Sequence, residues 1–154
     1  MKVGFVSLGC SKNLVDTEML IGKFKKENFE IVNQPKEADI LVVNTCGFIE
    51  SAKEEAINTI LEMAEYKKNG NCKFLIATGC LVKRYKTELE KALPEVDLLV
   101  SVDEYDKIWS KVQNLLGQKT KSQNTLDYME RCIATGEKTA YLKIAEGCSN
   151  HCTY

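Results

Sequence analysis

The stretch Ala38-Asp39-Ile40-Leu41-Val42-Val43-Asn44-Thr45-Cys46-Gly47 decides the fold. Its apolar run has no polar alternation, the pattern of a parallel strand buried on both faces. The run then turns polar and ends in a cysteine beside a glycine. Two other runs follow the same order: Val3 to Leu8 leads into Gly9-Cys10, and Lys73 to Thr78 leads into Gly79-Cys80. A weaker run, Phe29 to Val32, and a clear one, Asp97 to Val102, bring the predicted strands to five.

Helical periodicity fills the gaps between these runs. Leu14, Thr17, Ile21 and Phe24 recur at three- and four-residue steps. A second helix opens with Ser51 and Glu54 in capping-box relation, continues through Ala52, Ala56, Ile60 and Ala64, and stops near Gly70. Tyr85, Leu89 and Leu93 mark a shorter helix closed by Pro94. The last stripe, Tyr105, Ile108, Trp109, Val112, Leu115 and Leu116, starts at Asp103 and ends at Gly117, and Trp109 is expected in the core.

Strands alternating with helices predict a parallel, three-layer α/β sheet built from right-handed crossovers, with helices on both faces. The expected arrangement is flavodoxin-like, strand order 2-1-3-4-5, with its site outside the carboxyl ends of the strands. In that order the strands ending at Cys10, Cys46 and Cys80 are neighbours. Adjacent strands lie about 4.8 Å apart, so the outer two ends are about 10 Å apart before their loops bend inward. Three thiolates can therefore converge on one metal centre. Zinc would need a fourth ligand to close a tetrahedral site. A cysteine-ligated iron–sulfur cluster with one open iron position suits three thiolates better.

Composition sets the outer limits. The chain has 154 residues, 44% hydrophobic and 28% charged, with 21 Lys+Arg against 22 Asp+Glu and a formal charge of −1. Such apolar content excludes disorder, and no uncharged apolar run approaches the ~20 residues of a membrane span. The charge balance lacks the footprint of an obligate nucleic-acid binder. Seven cysteines cannot form a fully paired disulfide framework. Leu8-Gly9-Cys10 superficially resembles a lipoprotein signal, but its apolar stretch falls short of the ~7–15 residues required. A cytoplasmic location, where thiols stay reduced, is expected. Cys72 and Cys132 have no neighbouring glycine and are expected to be free thiols.

From Gln118 to Thr125 the chain is polar and reads as a linker. Beyond it, Thr139 to Glu146 alternates like the start of a new strand and runs into Gly147-Cys148-Ser149-Asn150-His151-Cys152. His151, the only histidine, is expected to be an exposed loop residue. Neither a G-x-G-x-x-G nor a G-x-x-x-x-G-K-[ST] motif is present. Lys83, Arg84 and Lys86 form a basic run that would border the cysteine site.

Ser7-Leu8-Gly9-Cys10-Ser11-Lys12-Asn13-Leu14-Val15-Asp16-Thr17-Glu18, Asn44-Thr45-Cys46-Gly47-Phe48-Ile49 and Thr78-Gly79-Cys80-Leu81 resemble the amino-terminal domain of the radical S-adenosylmethionine methylthiotransferases. Tyr141 to Cys148 resembles the entry to the radical barrel of the same family. The resemblance implies that Cys10, Cys46 and Cys80 hold an auxiliary [4Fe-4S] cluster. Cys148 and Cys152 are then the first two ligands of a second [4Fe-4S] cluster, which binds and cleaves S-adenosylmethionine. The third ligand of that C-x3-C-x2-C motif would fall on the residue after Tyr154.

The domains implied are 1–117, the amino-terminal methylthiotransferase domain; 118–138, a linker; and 139–154, the start of a truncated radical barrel. Lys12 to Asp16 and Gly47-Phe48-Ile49 look like the RimO type of the family, although Ser11 stands where that type generally has proline. Members of that type methylthiolate the β-carbon of an aspartate in small-subunit ribosomal protein S-twelve, after a 5′-deoxyadenosyl radical has abstracted its hydrogen. The implied partners are that protein or the small ribosomal subunit, a low-potential electron donor and a sulfur donor, with no membrane. The truncated chain alone is expected to be inactive. Two alternatives stay open: a tRNA adenosine methylthiotransferase of the same family, and a zinc-binding or purely structural flavodoxin-like interaction domain.

Overall fold

The computed structural model describes residues 1–118, 126–136 and 138–145. Its strands are β1 (Lys2–Ser7), β2 (Glu30–Val32), β3 (Ile40–Thr45), β4 (Phe74–Gly79) and β5 (Leu98–Ser101). Its helices are α1 (Ser11–Lys26), α2 (Glu50–Asn69), α3 (Cys80–Ala92) and α4 (Ile108–Leu115). All strand pairs are parallel, in the order β2-β1-β3-β4-β5, which is the expected flavodoxin-like sheet.

Alternate residues of the central strands feed two cores. Leu41, Val43, Leu75 and Ala77 pack with Ala56, Ile60, Leu81 and Leu89 of α2 and α3. On the opposite face, Ile40, Val42 and Ile76 pack with Leu20 and Phe24 of α1 and with Ile108, Trp109 and Val112 of α4. Trp109 is buried as expected and meets Phe24 edge to face, ring centroids 5.2 Å apart. Burial on both faces explains why the inner strands read as unbroken apolar runs.

Two helix starts differ from expectation. Helix α2 begins at Glu50 with Ile49 as its N-cap and no side-chain cap, so Ser51 lies inside the first turn and forms no capping box. The capping box is instead Ser101 with Glu104, opening a 3₁₀ segment, Val102–Lys107, that runs into α4. Residues 139–145 pair with no strand among the described residues, and the rest of that expected strand lies outside them. No helix among the described residues is long and apolar enough to cross a membrane.

Candidate metal centre

The register brings the cysteine loops together at one edge. Ser7 pairs with Asn44, and Thr45 pairs with Gly79, so Cys46 and Cys80 leave the sheet at the same level. Cys10 caps the amino terminus of α1, and Cys80 is the first residue of α3. Cys10 and Cys80 are exposed and Cys46 is half-buried.

Two of the adjacent glycines are required by geometry. Gly9 has φ +88°, and a Cβ there would lie 2.5 Å from the Cys46 Cβ and 3.0 Å from its Sγ. Gly79 has φ +106°, and a Cβ there would lie 2.5 Å from Asn44 Oδ1 and collide with the Thr45 carbonyl. Only glycine takes such backbone angles and leaves that space.

Asn13 and Asn44 brace the three loops, and neither was singled out as a site residue from the sequence. The buried Asn13 amide donates from Nδ2 to the Leu8 carbonyl at 2.9 Å and the Thr45 carbonyl at 3.0 Å. Its Oδ1 lies 3.8 Å from Cys80 Sγ, whose thiol donates to it. Asn44 Nδ2 donates to the Asn13 carbonyl at 2.8 Å and to Thr17 Oγ1 at 3.0 Å. The Thr45 hydroxyl donates to the Thr78 carbonyl at 2.6 Å, and the Thr78 hydroxyl to the Val100 carbonyl at 2.7 Å. Asn44 Oδ1 is buried against Gly79 with no hydrogen-bond partner among the described residues.

The sulfurs sense one another. Cys80 is exposed as a residue, but its thiol is partly desolvated, and this pushes its pKa up. The nearby Cys46 and Cys10 add to the rise, and Lys12 opposes it. Accumulating three thiolates here is therefore unfavourable without a cation, and a coordinating metal supplies one. Among the described residues, no three His, Cys, Asp or Glu side chains are arranged to hold a single metal ion.

A groove beside Cys80 is lined by Gly47, Phe48, Lys83 and Arg84. Phe48 is 86% exposed, so an aromatic ring stands in solvent beside the thiols. Of the basic run, Lys83 and Arg84 border this groove, whereas Lys86 turns away to Glu104 at 2.8 Å. Cys72 and Cys132 are free thiols; Cys72 is buried, and Cys132 Sγ lies 3.2 Å from Lys25 Nζ. Cys148, Cys152 and His151 lie outside the described residues.

A doubly wound sheet with soft thiol donors on three adjacent loops defines a class: flavodoxin-like domains whose carboxyl edge is furnished for a metal centre. The chain belongs to the family described as "Uncharacterized protein family UPF0004", whose model matches residues 2–101. It is 63% identical, over its full length, to the ribosomal protein uS12 methylthiotransferase RimO of Alkaliphilus oremlandii, covering 35% of that protein. The proteins of the same name from Clostridium botulinum and Lachnoclostridium phytofermentans are 51% and 52% identical over 99% and 100% of the chain, each covered to 36%. The chain thus spans about a third of the length of the curated relatives it matches.

Proposed function

We propose that the chain is the sulfur-donor portion of a radical S-adenosylmethionine methylthiotransferase acting on an aspartate of ribosomal protein uS12. In this reading residues 1–117 form the auxiliary-cluster domain, 118–138 connect, and 139–154 begin the radical domain. The observation that carries it is the trio of Cys10, Cys46 and Cys80 on neighbouring strand ends, braced by Asn13. Relatives named for this activity support it.

The donor set fits a [4Fe-4S] cluster. Its ligands are thiols alone, the Gly9 cradle leaves Cys46 Sγ accessible, and a polynuclear cluster does not need the tight geometry of a single ion. When bound, such a cluster supplies sulfur at the iron that three protein ligands leave open, while a second, held through Cys148 and Cys152, supplies the electron that cleaves S-adenosylmethionine. The chain's own residues bind and orient. Asn13 fixes the loop ends and, through its Oδ1, the direction of Cys80; Gly9 and Gly79 let the loops close; Phe48, Lys83 and Arg84 wall one side.

Iron and sulfide analysis after anaerobic reconstitution tests the centre. About four irons should bind at this site, and Cys46→Ala should abolish them. Stoichiometric zinc without charge-transfer absorption would overturn the cluster. Mass analysis of uS12 and, separately, of tRNA after incubation with the full-length enzyme tests the substrate; modified tRNA with unmodified uS12 would move the protein to the tRNA-modifying type.

A further inference from the structure

Residues 126–145 do not cross the domain as a slack connection. The segment lies along α1, contacting it residue by residue in reverse order. Near the carboxyl end of α1, Lys26 pairs with Glu130, and a Cβ on Gly22 would collide with the Glu130 carbonyl. One turn earlier, Glu18 collects three contacts. Its carbonyl accepts from the Cys132 amide at 3.1 Å, its Oε1 accepts from the Ala134 amide at 2.6 Å, and its Oε2 lies 2.9 Å from Arg131 Nε. Nearer the Cys10 end, Asp16 Oδ1 accepts from Lys143 Nζ at 2.6 Å.

Both ion pairs are buried. Side-chain exposure is 1% for Glu18 and 9% for Arg131, and 5% each for Asp16 and Lys143. Buried pairs add little net stability, because desolvation offsets their attraction, but a wrong register leaves each charge unpaired and is strongly disfavoured. The face turned away from α1 is apolar and uncovered: Met129, Leu142 and Ile144 are 91%, 79% and 88% exposed.

We propose that residues 126–145 are a registered strap, locked antiparallel along α1 by Glu18–Arg131 and Asp16–Lys143, whose outer apolar face seats the remainder of the full-length chain. Helix α1 carries Cys10 at its amino terminus and Asn13 in its first turn. The strap therefore joins the placement of the thiol edge to the placement of whatever follows residue 145. Arg131, Lys143 and Gly22 are positioning residues in this arrangement. The catalytic consequence rests on the methylthiotransferase reading; the strap itself does not.

Amide hydrogen exchange on the full-length protein tests it. In the wild type the Cys132 and Ala134 amides should be protected, and Gly22→Ala and Lys143→Met should each raise exchange across 128–145 by about tenfold or more. Amides of β3 and β4 should be unchanged, which separates loss of the strap from loss of the fold. Iron content should persist while kcat for methylthiolation falls with KM unaltered, and Asp16→Asn with Lys143→Gln, a neutral hydrogen-bonded pair, should recover much of both readouts. Unprotected wild-type amides, or protection that survives Gly22→Ala, would overturn the strap. Lost protection with full kcat would overturn its positioning role. Normal protection in a protein that modifies neither uS12 nor tRNA would sink the methylthiotransferase reading and leave the strap standing.

Discussion

The two ends of the sheet are held by different chemistry. At the amino end, carboxylates staple strand starts to one another: Asp39 accepts from the Lys2 amide at 2.8 Å and from Lys73 at 2.9 Å, and Asp97 accepts from the Leu75 amide at 2.7 Å and from Lys67. At the carboxyl end, neutral groups make the bonds between Asn13, Thr17, Asn44, Thr45 and Thr78, and all five are buried. Charged staples suit an edge open to water. A neutral, fully bonded belt suits an edge that must gather several thiolates, since a buried carboxylate there would add to their repulsion.

The sharpest way to break this comparison is at Gly79. Replacing it with alanine forces a non-glycine residue into φ +106° and against Thr45, and should cost about 3 kcal/mol in denaturant unfolding, together with the iron site. Asn13→Ala comes next. It leaves the Leu8 and Thr45 carbonyls without their donor, with an expected loss of about 2 kcal/mol and weakened iron retention. The smallest effect belongs to the other end.

Asp39→Asn should cost about 1 kcal/mol at neutral pH and leave iron binding unchanged. The Lys2 amide, then Lys73, hold the Asp39 carboxyl below the usual carboxylate range. Its contribution is therefore present above the unfolded value of about 3.9 and is lost as pH falls through the lower folded value, so wild type and variant should converge in acid. A large loss of iron in Asp39→Asn would mean that the two ends are not separable.

The sheet order was readable because each strand carries its own evidence of burial, and the cysteines were readable because each follows a strand beside a glycine. The braces were not. Asn13 and Asn44 look like ordinary loop and strand-end polar residues until the register sets them against each other. Gly22 looks like a weak point in a helix, and its reason is a carbonyl at Glu130, far along the chain. Asp16 and Glu18 look like solvated charges because their partners, Lys143 and Arg131, are equally distant. The capping box misled for a simpler reason: Ser51-x-x-Glu54 and Ser101-x-x-Glu104 both satisfy the pattern, and only backbone entry angles distinguish them.

The outer strands are the shortest, three residues in β2 and four in β5, against six in each of β1, β3 and β4. An edge strand is a template on which another chain can add by backbone pairing, and its reach scales with its length. A newly made copy of this domain, with its thiols bare and its metal not yet delivered, thus offers neighbouring copies little to zip onto. Brevity at the margins is a safeguard against fibrous self-assembly during that interval.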